Sequence, residues 1–202
     1  MGTAAHDPRF PILVVDDEPL VVRALRRPIE DVCPSLGASS LGAAHEHLDQ
    51  PLAGLVLDVH VGGGFGWEIL AVARAHDPLL PAMVITGRAW STFEEQARAS
   101  YALVRHKPLE PEDVRRFARW ACARRTQGRS IVAGLVREVA SWARLTPREV
   151  AFVDALVLGA ERVDDPHHHI EAMVLAKTGK ANPNALRSAV LWAFFRQDAP
   201  FL

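Results

Sequence analysis

Four short apolar runs, each followed by a polar or charged motif, constrain the fold of this chain more than any other feature. In chain order, residues 11–15 precede Asp16-Asp17-Glu18, residues 54–57 precede Asp58, residues 82–85 precede Thr86-Gly87, and residues 102–104 come shortly before Lys107-Pro108. Short runs rich in β-branched residues are typical of strands buried on both faces of a parallel sheet. Each polar motif therefore lies where a strand is predicted to end.

Helical patterns separate these runs. Pro19 stands in the first turn of a predicted helix, which Pro34 ends. A weak strand near residues 36–41 and a short helix over 43–48 come next, and longer helices are predicted over 67–75, 92–99 and 111–125. Strand and helix alternate about five times across residues 10–126, which predicts an α/β fold with a doubly wound, five-stranded parallel sheet.

Beyond residue 126 the strand pattern disappears and the chain is predicted to be helical. Residues 127–130 are the predicted linker, residues 131–142 carry one apolar stripe, and Thr146-Pro147-Arg148-Glu149 has the pattern of a capping box. We therefore expect a disordered tail over residues 1–9, an α/β domain over 10–126, a linker and connecting helix over 127–144, and a small all-α domain over 145–202.

Composition excludes several classes of protein. With 49% apolar residues, 23% charged residues and a net charge of −1, the chain is an ordinary globular sequence, and nothing global favours a polyanion or a membrane as partner. The longest apolar stretches have roughly seven residues, against the ~20 that span a bilayer. Residues 1–8 lack a secretory signal, and Cys33 and Cys122 are interpreted as buried thiols in a reducing compartment. We expect a cytoplasmic protein.

The predicted strand ends bring acidic and basic groups together. In an open parallel sheet, ligands bind in the crevice at the carboxyl ends of the strands. Asp16, Asp17 and Asp58 would meet there, and crowded carboxylates do not all stay ionised unless a cation neutralises them. A hard divalent ion with oxygen ligands is the natural partner, and the pattern points to phosphoryl chemistry on an aspartate.

Taken in order, these motifs resemble the receiver domain (CheY-like) of bacterial two-component response regulators. The matching pieces span residues 11–109: Ile12-Leu13-Val14-Val15-Asp16-Asp17-Glu18, Leu55-Val56-Leu57-Asp58 with Gly66, Val84-Ile85-Thr86-Gly87, and Lys107-Pro108-Leu109. The resemblance implies a flavodoxin-like fold. It also implies that Asp58 is the phosphoacceptor and attacks the phosphohistidine of a sensor histidine kinase.

The same resemblance implies roles for the other strand-end residues. Mg²⁺ would be bound by Asp16, Asp17, Asp58 and the backbone carbonyl of His60. Thr86 would donate its hydroxyl to one phosphoryl oxygen, and Lys107 would pair with another as a point charge. The Lys107-Pro108 peptide bond is expected to be cis.

Two departures from the family and two alternative interpretations concern this part of the chain. Val104 stands where the family has an aromatic residue, and Gly62 stands where it has a proline. The run 62–64 lacks the Lys-Ser/Thr ending of a nucleotide P-loop. Haloacid-dehalogenase phosphatases need a second aspartate two residues after the first, and His60 occupies that position, so we expect no independent enzymatic activity.

The C-terminal segment carries a shorter resemblance. Leu145-Thr146-Pro147-Arg148-Glu149-Val150 resembles the opening of the LuxR-type helix-turn-helix module, and the match extends to Gly159. One alignment makes 174–179 the scaffold helix and 182–189 the turn and recognition helix; the other makes 166–177 the recognition helix. The resemblance implies a DNA-binding transcriptional output. The alternative is a degenerate helical module for protein contact or homodimerisation without DNA.

Charge does not decide between these outputs. Residues 127–202 contain nine Lys/Arg and eight Asp/Glu, and Lys177, Lys180 and Arg187 form the one cluster of positive charge. DNA-binding surfaces usually carry a basic stripe, because phosphate contacts dominate affinity.

The run 167–169, three consecutive histidines, is predicted to be a loop or helix start rather than a metal site, because consecutive side chains point in different directions.

Overall fold

The computed structural model describes residues 10–87, 99–159 and 169–200. Seven strands are described: β1 Ile12–Val15, β2 Ser35–Ala38, β3 Gly54–Asp58, β4 His60–Val61, β5 Gly64–Phe65, β6 Ala82–Thr86 and β7 Leu103–His106. Seven helices are described: α1 Pro19–Glu30, α2 Leu41–His45, α3 Gly66–His76, α4 Pro111–Ala143, α5 Pro147–Leu158, α6 His169–Thr178 and α7 Pro183–Arg196. The predicted helix over 92–99 lies almost entirely outside the described residues.

Five of the strands form one parallel sheet in the order β2-β1-β3-β6-β7. The predicted α/β class and the five-stranded parallel sheet are confirmed. The three central strands, β1, β3 and β6, are fully or nearly fully buried apolar runs, as burial on both faces of the sheet requires.

Helices cover both faces of this sheet. On one face, Leu13, Leu55 and Leu57 join a core with Ile69 and Leu70 of α3. On the other face α4 approaches β3 so closely that a Cβ built on Gly54 would lie 3.1 Å from the Cβ of Ala121 and 3.5 Å from Phe117. This close packing fixes the strands whose ends carry the polar motifs.

A hairpin that the sequence did not predict follows β3. Strands β4 and β5 pair antiparallel, with His60 opposite Phe65 and Val61 opposite Gly64. The two turn residues, Gly62 and Gly63, have φ of 55° and 88°. Two-residue hairpin turns favour positive φ at both positions, which glycine adopts without steric cost. Gly62 and Gly63 therefore form a tight turn.

Residues 127–130, the predicted linker, are helical, because α4 continues from Pro111 to Ala143. Gly128 lies inside the helix, where glycine costs about 1 kcal/mol relative to alanine but does not end the helix. The chain divides into two compact units, and the boundary between Thr126 and Gln127 falls within α4. Residues 198–200 belong with the first unit.

Among the described residues of the second unit, Gln127–Gln197, every regular element is a helix. The predicted capping box at the start of α5 is present: Glu149 N–H donates to the Thr146 hydroxyl, and Thr146 N–H donates to the Glu149 carboxylate. Gly159, with φ of 69°, ends that helix as expected. Among the described residues, every helix is too short or too polar to cross a membrane.

Candidate functional site

The carboxyl ends of β1, β3, β6 and β7 place the sequence-predicted residues along one edge of the sheet. Asp16 and Asp17 directly follow β1, Asp58 and Thr86 are the last residues of β3 and β6, and Lys107 directly follows β7. These four strands are neighbours in the sheet. The structure therefore brings together side chains that are up to 91 positions apart in the chain.

Three carboxylates form the centre of the site. One oxygen from each of Asp16, Asp17 and Asp58 lies within 4.8 Å of the others. Backbone N–H groups hold each carboxylate in place: Glu18 donates to Asp16 at 3.0 Å, Val59 to Asp58 at 2.7 Å, and the hairpin residue Gly62 to Asp17 at 3.3 Å. The hairpin thus contributes directly to the position of Asp17.

Lys107 joins two of these carboxylates. Its Nζ donates to Asp16 Oδ2 at 2.7 Å and to Asp58 Oδ2 at 3.0 Å. The Asp16 side chain is 1% exposed, against 14% for Asp58 and 27% for Lys107. Asp16 is thus the buried anchor of the lysine, while Asp58 faces the opening of the site.

Burial and pairing act in opposite directions on the protonation of the site. Burial raises the pKa of Asp58 above its ordinary value, although the hydrogen bond from Lys107 counteracts part of that effect. Burial lowers the pKa of Lys107, but its hydrogen bonds to Asp16 and Asp58 outweigh burial, so this pKa is raised. The lysine therefore stays charged at neutral pH and holds a positive charge beside Asp58.

The donor set fits a hard divalent cation. Three carboxylates face one ammonium group, so the cluster keeps a net negative charge. Carboxylate oxygens are the ligands that Mg²⁺ prefers, and Asp17 is exposed enough to accept an ion from solvent. His60 lies in β4, two residues after Asp58; the metal role of its carbonyl stays a prediction.

Two backbone features shape the edge of the site. A Cβ built on Gly66 would lie 2.1 Å from the Asp58 carbonyl oxygen, so only glycine lets α3 begin this close to the end of β3. At the other side, Lys107 N–H donates to the Thr86 carbonyl at 2.8 Å, and the Lys107-Pro108 bond is cis, as the resemblance implied. Thr86 itself is buried, with 7% of its surface exposed.

Val104 lies where the resemblance implies an aromatic residue. It pairs with Val84 across β6 and β7 and packs against the core between the sheet and α3. A small β-branched side chain in this place is part of the core packing, and it has no ring that could swing between exposed and buried positions.

The C-terminal unit contains a polar contact that sequence reasoning missed. Lys177 of α6 donates to both carboxylate oxygens of Glu149, at 2.8 and 2.7 Å, and to the Arg144 carbonyl at 3.4 Å. These hydrogen bonds lower the pKa of Glu149, which is only 6% exposed. Glu149 was identified as a capping residue, but no local pattern links it to a lysine 28 positions away.

The three residues of the predicted basic cluster therefore have different surroundings. Lys177 is bound to Glu149, while Lys180 lies in the turn after α6 and Arg187 lies on α7, both partly exposed. Of the histidine run, His169 is exposed at the first position of α6, and the other two histidines lie outside the described residues.

Solved receiver proteins share this fold. A response regulator receiver domain protein (CheY-like) from Methanospirillum hungatei JF-1 aligns with a TM-score of 0.54 and 18% identity, over 59% of this chain and 98% of that chain. A response regulator receiver protein from Sinorhizobium medicae WSM419 aligns with a TM-score of 0.52 and 23% identity, over 56% of this chain and 94% of that chain. The first unit therefore has the CheY-like receiver fold.

A third comparison extends past the receiver fold. Full-length FixJ from B. japonicum aligns with a TM-score of 0.57 and 19% identity, over 92% of this chain and 98% of that chain. The alignment therefore includes helices of the C-terminal unit, and at this identity it concerns the fold alone. No protein-family model and no curated protein matches the sequence.

Proposed function

We propose that the protein is a two-component response regulator whose receiver unit accepts a phosphoryl group on Asp58 from a sensor histidine kinase. The observation that carries the proposal is the contact of Lys107 with Asp58 at 3.0 Å, beside the three clustered carboxylates. A carboxylate nucleophile at the opening of a site, next to a fixed positive charge, suits transfer of an anionic group.

The residues have distinct roles in this proposal. Asp58 attacks phosphorus in line with the leaving imidazole nitrogen of the kinase. Lys107 Nζ contacts Asp58 Oδ2 and shifts its hydrogen bond from that oxygen to a phosphoryl oxygen. Its hydrogen bond to Asp16 keeps the ammonium group within the site during this shift. The Thr86 hydroxyl donates to another phosphoryl oxygen. Mg²⁺, bound by Asp16, Asp17, Asp58 and the His60 carbonyl, would offset the negative charge on the transferred group.

Labelling tests phosphoacceptance directly. Wild-type protein is incubated with Mg²⁺ and acetyl phosphate, or with a cognate kinase, and intact mass is followed over time. Asp58→Asn should take up no phosphoryl group, whereas Asp49→Asn, which changes an exposed aspartate outside the site, should behave like wild type. Equal labelling of Asp58→Asn and wild type, or no labelling of either, would show that the proposal is wrong.

We further propose that the C-terminal unit binds DNA and regulates transcription. The turn between α6 and α7 supports this: Gly179 has φ of 65°, and Asn182 caps α7 with its side chain while Pro183 occupies the first helical position. Two helices joined by a turn of three or four residues with a glycine are the layout of a helix-turn-helix. This layout favours the alignment in which 182–189 form the turn and recognition helix.

The pairing of Lys177 with Glu149 favours the alternative output, contact with a protein or a second copy of the chain. It leaves Lys180 and Arg187 as the members of the predicted cluster available for phosphate contacts.

Duplex binding measured from about 50 mM salt upward separates the two outputs, because counterion release strengthens DNA binding at low salt. Binding should weaken in Arg187→Ala and persist in Arg148→Ala, an exposed arginine of α5. No binding at low salt would leave protein contact as the output.

A further inference from the structure

The hairpin β4–β5 begins two residues after Asp58 and carries a backbone donor into the acidic site. At its turn, Gly62 N–H donates to Asp17 Oδ2 at 3.3 Å, although the two residues are 45 positions apart in the chain. A Cβ built on Gly62 or Gly63 would have no described atom within 4 Å, so the turn has open space around it. The position of this donor therefore depends on what anchors the rest of the hairpin.

Both faces of the hairpin are anchored. Val61 is fully buried and belongs to the core between the sheet and α3. On the opposite face, the Phe65 ring stacks on that of Trp67, with centroids 4.0 Å apart and planes inclined by 13°, and the His60 ring lies 5.2 Å from Phe65. Phe65 N–H also donates to Glu68 of α3 at 3.1 Å. The turn thus lies at the end of an element that is fixed to the start of α3.

The residue type at position 62 allows the contact with Asp17. The family resemblance places a proline here, and proline has no N–H and a φ fixed at about −65°. Gly62 has φ of 55°, which proline does not adopt and glycine adopts without steric cost. A proline at this position would neither donate to Asp17 nor form this turn. The donor therefore follows from a departure of this chain from the family pattern.

The three carboxylates of the site are held in different ways. Lys107 donates to Asp16 and Asp58, whereas the hydrogen bond to Asp17 comes from the hairpin. Asp17 is exposed, and an exposed side chain that nothing holds samples several rotamers. Ordering such a side chain when a cation binds lowers the affinity, and a donor that already selects one orientation removes part of this cost. A carboxylate has about four lone-pair sites, so one N–H leaves others for the ion.

We propose that Gly62 is a positioning residue for a divalent cation: its N–H holds the Asp17 carboxylate in the orientation that binds the ion, and this raises the affinity of the site for Mg²⁺. The inference rests on the metal site of the proposed function and adds to it a backbone group that is not itself a ligand. Because coupling between two binding or ordering events is reciprocal, a bound cation should in turn stabilise the hairpin.

Two substitutions of the same residue test the effect on affinity. Gly62→Pro removes the N–H and excludes a positive φ, whereas Gly62→Asn keeps the N–H, tolerates a positive φ and has open space for its side chain. The Kd for Mg²⁺ is measured on the full chain by isothermal titration calorimetry, with magnesium chloride as the probe and no phosphodonor, after circular dichroism has verified that both variants are folded. Gly62→Pro should raise the Kd about threefold to tenfold, and Gly62→Asn should stay within about twofold of wild type. An unchanged Kd in Gly62→Pro, or an equal rise in both variants, would overturn the proposal.

Amide exchange tests the contact in a chain whose residue 62 is unchanged. Exchange of the Gly62 N–H with water is measured by nuclear magnetic resonance in metal-free wild type and in Asp17→Ala, which removes the acceptor. The Gly62 N–H should exchange several-fold faster in Asp17→Ala, while the Val59 N–H, which donates to Asp58, should be unchanged. In wild type, saturating Mg²⁺ should slow the exchange of Gly62 further. Equal exchange of Gly62 in wild type and Asp17→Ala, or faster exchange with Mg²⁺, would show that the inference is wrong.

Failure of this inference is distinct from failure of the proposed phosphoacceptor. Neither measurement uses a phosphodonor, so a chain that is labelled on Asp58 but has the same Kd for Mg²⁺ in wild type and Gly62→Pro would refute the role of Gly62 alone. A wild type that binds no Mg²⁺ would overturn this inference together with the metal role proposed for Asp17.

Discussion

Replacing Lys107 with Met removes the ammonium group that donates hydrogen bonds to both Asp16 and Asp58. Removing one partner of a buried ion pair costs roughly 3–5 kcal/mol, because the other charge stays buried and unpaired. Here Asp16 is 1% exposed, but Lys107 is 27% exposed, so water screens part of the interaction. We therefore expect Lys107→Met to lower the free energy of unfolding by about 2–3 kcal/mol at pH 7.

The pH dependence of this loss follows from its cause. Without the ammonium group, the pKa of the carboxylates rises in the folded variant, so their ionisation destabilises the fold above that pKa. The destabilisation should shrink as pH falls toward the ordinary aspartate pKa of about 3.9, because a carboxyl group that is protonated in the folded variant carries no unpaired charge. In wild type, the raised pKa of Lys107 means that its contribution is present at neutral pH and is lost only as pH rises through that pKa.

Urea unfolding followed by far-ultraviolet circular dichroism measures both effects. Arg23→Met is the control, since Arg23 is exposed on α1 and such surface substitutions change stability by about 0.5 kcal/mol or less. Millimolar Mg²⁺ should stabilise Lys107→Met more than wild type, because the carboxylates then lack their internal cation. A loss no larger than that of Arg23→Met, or one that does not change between pH 7 and 4, would refute the reasoning.

Three further substitutions, with Gly42→Ala as a control for the first, probe other parts of the molecule. Gly66→Ala places a Cβ 2.1 Å from the Asp58 carbonyl oxygen, so it should lower the free energy of unfolding by about 2–3 kcal/mol and reduce phosphorylation. Gly42→Ala, with open space around its Cβ, should stabilise α2 slightly. Thermal unfolding compares the two variants. Gly63→Ala should cost about 1 kcal/mol in the same assay, because φ is 88° although no atom blocks its Cβ. Glu149→Gln should lose about 1–2 kcal/mol at pH 7 by urea unfolding. Because the pKa of Glu149 is lowered in the folded state, that difference should vanish as pH falls through it, and a pH-independent difference would contradict the assignment.

The sheet could be predicted from the sequence because each of its central strands is a buried apolar run with a polar residue at its end. Parallel strands buried on both faces leave a continuous hydrophobic pattern, which is easy to separate from helical spacing. Once the strands were placed, their shared carboxyl edge predicted that Asp16, Asp58 and Lys107 would meet, and the distances of 2.7 and 3.0 Å agree. The roles of these residues in phosphoryl transfer remain predictions.

Features that depend on tertiary contacts could not be predicted. Strands β4 and β5 have two residues each, too few to show a period, so the sequence does not indicate the hairpin over 60–65. Gly128 suggested a break in α4, yet the helix continues through it because the helical residues on both sides keep their regular conformation. The contact between Lys177 and Glu149 joins two helices, and nothing near either residue in the sequence indicates it.

The contribution of the last strand to the site also matters during synthesis. The lysine that contacts the phosphoacceptor candidate directly follows β7, the fifth strand of the sheet along the chain and one of its edges. A nascent chain cannot complete this cluster until residue 107 has left the ribosome, although both aspartates that it contacts emerge much earlier. The order in which the strands appear therefore makes this cluster of carboxylates and lysine one of the last parts of the first unit to form.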